Sequence, residues 1–468
     1  MDLSISNSEE LEVARLLKRK PIGNYKVIVK ANGANRPVVI QNDPYLFDGT
    51  PMPTTYWLIG DKEAKAMAKL ESEGGVKQVE LDINAQDLEL AHQIYANRRA
   101  HMSTKFDVKP EGGVGGTRKG VKCLHAHLAN YLAGNFDPVG EYCCHKVGIR
   151  PEDYFVTAEK EVLGIIDCGT NSTRFLVAEK YNDGSFFPLL RRSKVTKLGE
   201  GVDGNLFLNE GAMNRTLHSA RNYRLLGDKL GVDRWVIGAT SAVRDSENAN
   251  ILLNELETVI GSKVNVLSGE MEARLTFLGA THCLKTDSNE IVIDIGGGST
   301  EFVMGTTGEI DSLVGGSVNI GVVRIMERFL ESDPPTKAQL DLALKYVREL
   351  TDVISARFAS RGGLPRRVIG VGGTPVSLAH LSHWNAVDLT KSVHHFEITR
   401  DKVQKLFDEM KVLDIKDREK FTGMEAGRAE VIVAGTIELL TTMTSLGIET
   451  CLVSEADLLD GMGIFIST

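Results

Sequence analysis

Two stretches of this 468-residue chain carry the same phrase. Asp167-Cys168-Gly169-Thr170-Asn171-Ser172-Thr173 recurs as Asp294-Ile295-Gly296-Gly297-Gly298-Ser299-Thr300, a shared D-x-G-x-x-S-T. Each copy follows an apolar run, Val162-Leu163-Gly164-Ile165-Ile166 or Ile291-Val292-Ile293, and precedes another, Phe175-Leu176-Val177 or Phe302-Val303-Met304. The pattern predicts strand, tight polar turn, strand, used once in each of two related lobes. One Asp-Gly turn is an ordinary hairpin connector, but two in the same strand context point to a duplication. Glycine lets backbone approach a ligand closely, adjacent N–H groups and hydroxyls can cradle phosphate oxygens, and a strand-end Asp can hold a cation. Two such turns face to face would clamp a phosphate chain between lobes.

The rest of the chain is organised around that repeat. Residues 1–155, rich in breakers such as Asn32-Gly33, Asp43-Pro44 and Gly112-Gly113, read as a small α+β domain. Helices are expected there at Glu9–Leu17, Lys62–Glu73 and Asp87–Arg98. Beyond it, strands alternate with helices, the signature of an α/β fold. Strands are expected at Arg234–Gly238, Lys263–Leu267, Arg367–Gly370 and Thr450–Val453. Helices are expected at Asn248–Ile260, Gly269–Leu284, Val323–Leu330, Thr336–Phe358 and Ala426–Leu446. The repeat divides this part into lobes at 160–285 and 286–468, with ligand expected in the cleft between them. A net charge of −9 argues against nonspecific nucleic-acid binding, yet leaves room for an anionic substrate that meets a cation and local N–H groups. No apolar run reaches the roughly 20 residues of a membrane span. The first residues lack the form of a signal peptide, and six scattered cysteines suit a reducing cytoplasm.

Four further motifs carry chemistry. Gly370-Val371-Gly372-Gly373-Thr374 leaves a buried strand and opens a helix, a generic anion contact. Ser268-Gly269-Glu270-Met271-Glu272-Ala273-Arg274 starts a helix with two carboxylates in its first turn. Helix capping explains both, and a water-activating role for one of them leaves Glu270 and Glu272 equally eligible. Arg244, in Ala239-Thr240-Ser241-Ala242-Val243-Arg244, could bind phosphate or pair with Asp245 or Glu247. Arg191, Arg192, Lys194 and Lys197 form a basic strand that reads as a solvated face or a polyanion contact. In the N-terminal domain, Cys123, His125 and His127, with Cys143-Cys144-His145 later, offer metal ligands at a spacing that matches no standard zinc module.

Val162–Ala178, Ala239–Arg244, Ser268–Arg274 and Ile291–Val303 together resemble the exopolyphosphatase/guanosine-pentaphosphate phosphatase (Ppx/GppA) family, over roughly two-thirds of the chain. The resemblance implies a duplicated actin-like, ribonuclease-H-like ATPase fold with an interlobe cleft. It implies hydrolysis of the terminal phosphoanhydride of inorganic polyphosphate or guanosine pentaphosphate, with Mg2+. By motif, Glu272 matches the base that activates water, and Arg244 a phosphate-contacting arginine. Asp167 and Asp294 match the aspartates near metal. Thr170, Asn171 and Ser172, then Gly296, Gly297, Gly298 and Ser299, match the two phosphate loops, with Gly372, Gly373 and Thr374 beside them. A homodimer is implied as well. The chain reads as the short form, ending after the actin-like core. Glu430 and Ser454-Glu455 stand where the family more often has Asp and Ser-Asp. Gly115-Gly116-Thr117-Arg118, Lys122–His127 and Asp137-Pro138-Val139-Gly140 resemble a bacterial domain family of unknown function. The rival expectations are an actin-like kinase of a small acceptor and a non-catalytic regulator that binds polyphosphate or guanosine nucleotides.

Overall fold

The computed structural model describes residues 3–102, 112–284, 289–308, 312–360, 367–382, 392–425 and 427–465. Its contacts separate two units: 1–163 with 177–190 and 226–234, and 164–176 with 191–225 and 235–468. Among the described residues, no helix is long and apolar enough to cross a membrane.

The first unit holds a four-stranded sheet in the order β3-β2-β1-β4, built from β1 (Tyr25–Ala31), β2 (Arg36–Asn42), β3 (Tyr56–Leu58) and β4 (Tyr154–Val156). Helices Asp61–Ser72 and Ala85–His101 fall where the apolar spacing puts them, and Asn84 caps the second through Gln86 N–H. Helices Leu124–Leu132 and Pro138–Val147 add Leu124, Leu128, Val139 and Cys143 to a core completed by Val29, Val38 and Val39. Full burial of each large aliphatic side chain contributes about 1.5–3 kcal/mol.

Two further sheets share one topology. One runs β7-β6-β5-β8-β9, from β5 (Lys160–Cys168), β6 (Ser172–Tyr181), β7 (Phe186–Val195), β8 (Arg234–Ala239) and β9 (Val264–Val266). Its turn-proximal residues 164–168 and 172–176 belong to the second unit. The other runs β12-β11-β10-β13-β15-β14, from β10 (Asn289–Ile295), β11 (Thr300–Thr306), β12 (Val314–Val318), β13 (Arg367–Val371), β14 (Glu397–Thr399) and β15 (Thr450–Val453). In each, the third, second, first and fourth strands lie side by side; in the second sheet β15, the sixth in chain order, takes the place next to β13, with β14 at the edge. The β10–β11 pair is antiparallel, whereas β10–β13, β13–β15 and β8–β9 are parallel. The two apolar runs flanking each D-x-G phrase are therefore neighbouring strands, and the first of each pair is buried on both of its faces.

The last long helix starts later than its apolar pattern suggests, at Ile432 and not Ala426. Gly427 takes φ +78°, a left-handed conformation that keeps 427–431 in turns; Ala426 itself lies outside the described residues. The helix opened by Gly269 likewise stops at Thr281, short of Leu284. A closing helix, Leu458–Phe465, has no counterpart among the sequence expectations.

Candidate active site

The two D-x-G turns have the same internal geometry. Gly169 N–H donates to the Ser172 carbonyl and Gly296 N–H to the Ser299 carbonyl, both at 3.1 Å. The carbonyls of each turn are taken up from outside: Thr196 and Lys197 N–H donate to Asn171, Gly199 N–H to Thr170, and Val322 and Val323 N–H to Gly296 and Gly297. The N–H groups of Thr170, Asn171, Gly297 and Gly298 find no acceptor among the described residues. That division leaves a nest of donors, which is what an anion needs.

The turns approach each other closely. A Cβ on Gly297 would sit 3.0 Å from Asn171 N, and one on Gly298 would sit 2.5 Å from Ser241 Oγ. Between them is a cleft lined by Asp167, Thr170, Asn171, Ser172, Glu272, Asp294, Gly296, Gly297, Gly298, Ser299, Gly372, Gly373 and Thr374. Every residue that the family resemblance assigns to the site is on that wall except Arg244, which pairs with Glu272. Three buried polar atoms here have no hydrogen-bond partner among the described residues: Asp167 Oδ1, Asn171 Nδ2 and Ser172 Oγ. Such atoms are costly to bury unless a ligand completes them.

Glu270 and Glu272 are separated by exposure. Glu270 is exposed and pairs with Arg274 at 2.9 Å, one helical turn on. Glu272 is 6% exposed and faces the cleft. Ser268 caps their helix through Met271 N–H at 3.2 Å, and bare Gly269 lets the helix start close against Ser317 of β12. Arg244 Nη1 donates to Glu272 Oε2 at 3.0 Å and to the Leu267 carbonyl at 2.8 Å. Burial, against the pull of Arg244, raises the Glu272 carboxyl to about 7. The same helix packs backbone to backbone on the closing helix. A Cβ on Gly279 would overlap the Asp457 carbonyl, and one on Gly461 the Leu275 carbonyl.

The cleft contains charges that the motif reading passed over. Arg174 donates to Asp167 Oδ2 from Nε at 2.9 Å and Nη2 at 2.6 Å, and to Asp457 Oδ2 from Nη1 at 2.5 Å. Glu301 sits opposite Asp294 in the β10–β11 register and accepts from Ser317 Oγ at 2.7 Å. Burial raises Asp294 to about 6, and burial with the nearby Glu272 and Asp294 charges raises Glu301 well above its ordinary range. Arg428 also lines the cleft, in space that bare Gly373 leaves open. One signal for Arg174 and Glu301 was in the sequence: each is the residue directly after Ser-Thr in its copy.

The basic strand is not a solvated face throughout. Arg191 donates to Asp460 Oδ1 at 2.5 Å and Lys197 to Glu430 Oε2 at 2.6 Å, while Lys194 is exposed.

The N-terminal metal grouping requires a correction. Cys123 Sγ and His125 Nδ1 are 3.8 Å apart, but His127 is turned elsewhere, its Nδ1 2.9 Å from Asp137 Oδ1. Residues two apart on a helix project about 200° from each other, so His125 and His127 cannot share a ligand. Glu71, 3.2 Å from His125 Nδ1, takes the third place. Cys143 and Cys144 are buried and His145 is exposed; none of the three is in this group.

Two sheets that share a 3-2-1-4 strand order, each ending in a D-x-G hairpin at one polar cleft, define a duplicated α/β class of fold. Within that class, the chain belongs to the Ppx/GppA phosphatase family, which residues 176–464 match. Residues 28–145 match DUF501, a family of proteins of unknown function. The chain is 31% identical to exopolyphosphatase 2 of Mycobacterium tuberculosis, over 64% of its own length and 97% of the relative's. It is 28% identical to the guanosine-5'-triphosphate,3'-diphosphate pyrophosphatase of Pseudoalteromonas translucida, over 62% of its own length and 56% of the relative's. The crystal structure of the Aquifex aeolicus family member matches with a TM-score of 0.55 at 29% identity, over 66% of this chain and 98% of that one. An exopolyphosphatase from Cytophaga hutchinsonii matches with a TM-score of 0.59 at 26% identity, over 64% and 96%. Both activities named among the relatives are hydrolyses, and the family places this chain among hydrolases.

Proposed function

We propose that the protein hydrolyses the terminal phosphoanhydride of inorganic polyphosphate, of guanosine pentaphosphate, or of both. The observation that carries this reading is Glu272, a buried carboxylate facing a nest of unpaired backbone donors. The free N–H groups of Thr170, Asn171, Gly297 and Gly298 hold oxygens of the terminal phosphates, with Ser172 Oγ and Asn171 Nδ2 as further donors. Thr374 and the Arg428 guanidinium border the same anion. Arg244 fixes the Glu272 carboxylate so that Oε1 can accept a proton from a water attacking in line with the phosphorus. The nearby Asp167 and Asp294 charges add to burial in holding the Glu272 carboxyl up. Phosphoryl transfer needs chiefly position and charge stabilisation, so no covalent nucleophile is required.

The donor set suits Mg2+. Asp294, Glu301 and the unpartnered Oδ1 of Asp167 present hard carboxylate oxygens that would hold it. Bound there, the ion would neutralise negative charge on phosphate oxygens. Cytoplasmic placement and a homodimer complete the proposal, on the grounds of cysteine usage and family resemblance.

Initial rates of phosphate release from short polyphosphate, long polyphosphate and guanosine pentaphosphate, measured with Mg2+ on one preparation, test the reading. Release is expected from at least one. Glu272→Gln is expected to lower kcat by about 10²–10⁴-fold while substrate still binds. The parent rate should climb as pH rises through about 7, because only the ionised Glu272 accepts a proton, and Glu272→Gln should lose that climb. Parent-like turnover by Glu272→Gln would refute the role of the base. Absence of release from all three substrates would refute the activity.

A further inference from the structure

We propose that Glu71, Cys123 and His125 form a binding site for one zinc-class divalent cation, in the DUF501 part of the chain. The proposal does not depend on the activity assigned to the cleft. One ligand atom from each residue lies within 4.8 Å of the others, and all three residues are partly exposed. The separations suit tetrahedral coordination. Zinc bonds of about 2.3 Å to sulfur and about 2.0–2.1 Å to nitrogen or oxygen imply S···N and N···O edges of about 3.6 Å and about 3.3 Å. The corresponding distances are 3.8 Å for Cys123 Sγ to His125 Nδ1 and 3.2 Å for His125 Nδ1 to Glu71 Oε1.

The surroundings prepare the ligands. His125 Nε2 lies 3.1 Å from the Ala64 carbonyl, which can only accept, so the Nε2 proton belongs there. In the neutral ring that leaves Nδ1 as a bare lone pair, aimed at a carboxylate oxygen and a sulfur. A carbonyl holding the far ring nitrogen is the usual support of a metal-bound histidine. Glu71 is fixed in turn, since Leu124 N–H donates to its Oε1 at 2.7 Å. Cys123 is the N-cap residue of helix Leu124–Leu132, which sets its sulfur beside the first turn of that helix. Three protein ligands at a partly exposed place leave a fourth position for water, the arrangement of open zinc sites rather than closed structural ones.

Cobalt(II) reads this site directly, because a cobalt–thiolate bond absorbs in the near ultraviolet and a tetrahedral ion in the visible. The full chain, stripped of metal by chelator and titrated with Co2+ in excess Mg2+, should show a thiolate charge-transfer band that saturates at one equivalent. Zn2+ should bleach it, since zinc binds such sites more tightly than cobalt. Cys123→Ser should abolish the band, whereas Cys168→Ser, beside the candidate Mg2+ site, should leave it intact. Glu71→Gln, which keeps the Leu124 hydrogen bond, should weaken Co2+ affinity by about 10–100-fold. A parent protein without the band, or a band that survives Cys123→Ser, would overturn the proposal. If Cys123→Ser fails to fold, the parent spectrum and Glu71→Gln decide: unchanged affinity in Glu71→Gln also overturns it.

Discussion

The two D-x-G turns are alike in backbone and opposite in content. In the first, Thr170 and Asn171 project side chains; in the second the same places are Gly297 and Gly298, because a Cβ there would strike the first turn. In the first, the residue after Ser-Thr is Arg174, which neutralises Asp167. In the second it is Glu301, which adds charge to Asp294. Even the shared Thr differs: Thr173 Oγ1 meets the Thr196 hydroxyl at 3.0 Å, whereas Thr300 Oγ1 donates to the buried carboxyl of Glu438. Duplication supplied two equal cradles, and substitution made one self-sufficient and the other short of positive charge. In a cleft of this kind the unpaired negative charge lies with the second turn, and a cation is drawn towards it.

Changes at matched positions should therefore have opposite signs. Arg174→Met leaves Asp167 buried without its cation and Asp457 with only Arg191 at 3.8 Å, and loss of about 3–5 kcal/mol of stability is expected, measured by denaturant unfolding of the metal-free protein. Glu301→Gln removes a repelling charge, so the metal-free protein should become more stable. Phosphate release at limiting Mg2+ should nevertheless fall by about 10–100-fold, with recovery as Mg2+ is raised. If both variants shift stability in the same direction, the asymmetry is wrong. The smallest effect concerns Glu438, whose burial raises its carboxyl to about 8 in the folded chain, against an ordinary value near 4.5. The neutral form is the one the fold favours. Its contribution is complete below about 4.5 and is lost as pH rises through about 8. Glu438→Gln should thus gain melting temperature over the parent at pH 9 and gain little at pH 5.

How much of this was legible follows from distance along the chain. The turns could be read because their function is local: glycine, hydroxyl and Asp lie within seven residues, and repetition marks them as meaningful. Glu272 needed more, since its neighbour Glu270 has equal claim to a helix start and only burial separates them. Arg174 and Glu301 sat one step beyond the phrase, where Arg and Glu look like unrelated residues until the strands pair. Glu438, Asp457 and Arg428 reach the site from more than a hundred residues beyond the turns, through packing that no local pattern records. The closing helix, Leu-Leu-Asp-Gly-Met-Gly-Ile-Phe, was hidden by its glycines, which disfavour a helix in isolation and here permit contact. His125 and His127 misled for the opposite reason: they are near in sequence but on different sides of their helix.

The contact of Gly279 with the Asp457 carbonyl, and of Gly461 with the Leu275 carbonyl, has a meaning of its own. At these two points no side chain stands between the helix that bears Glu272 and the closing helix, so nothing there can be exchanged to adjust their spacing. Elsewhere in a core, a methylene gained on one side can be offset by one lost on the other. At these two glycines that freedom is absent, and a single added carbon must shift the helix together with its carboxylate. Selection for a durable fold and selection for turnover therefore act there as one pressure, and neither can be relaxed without the other.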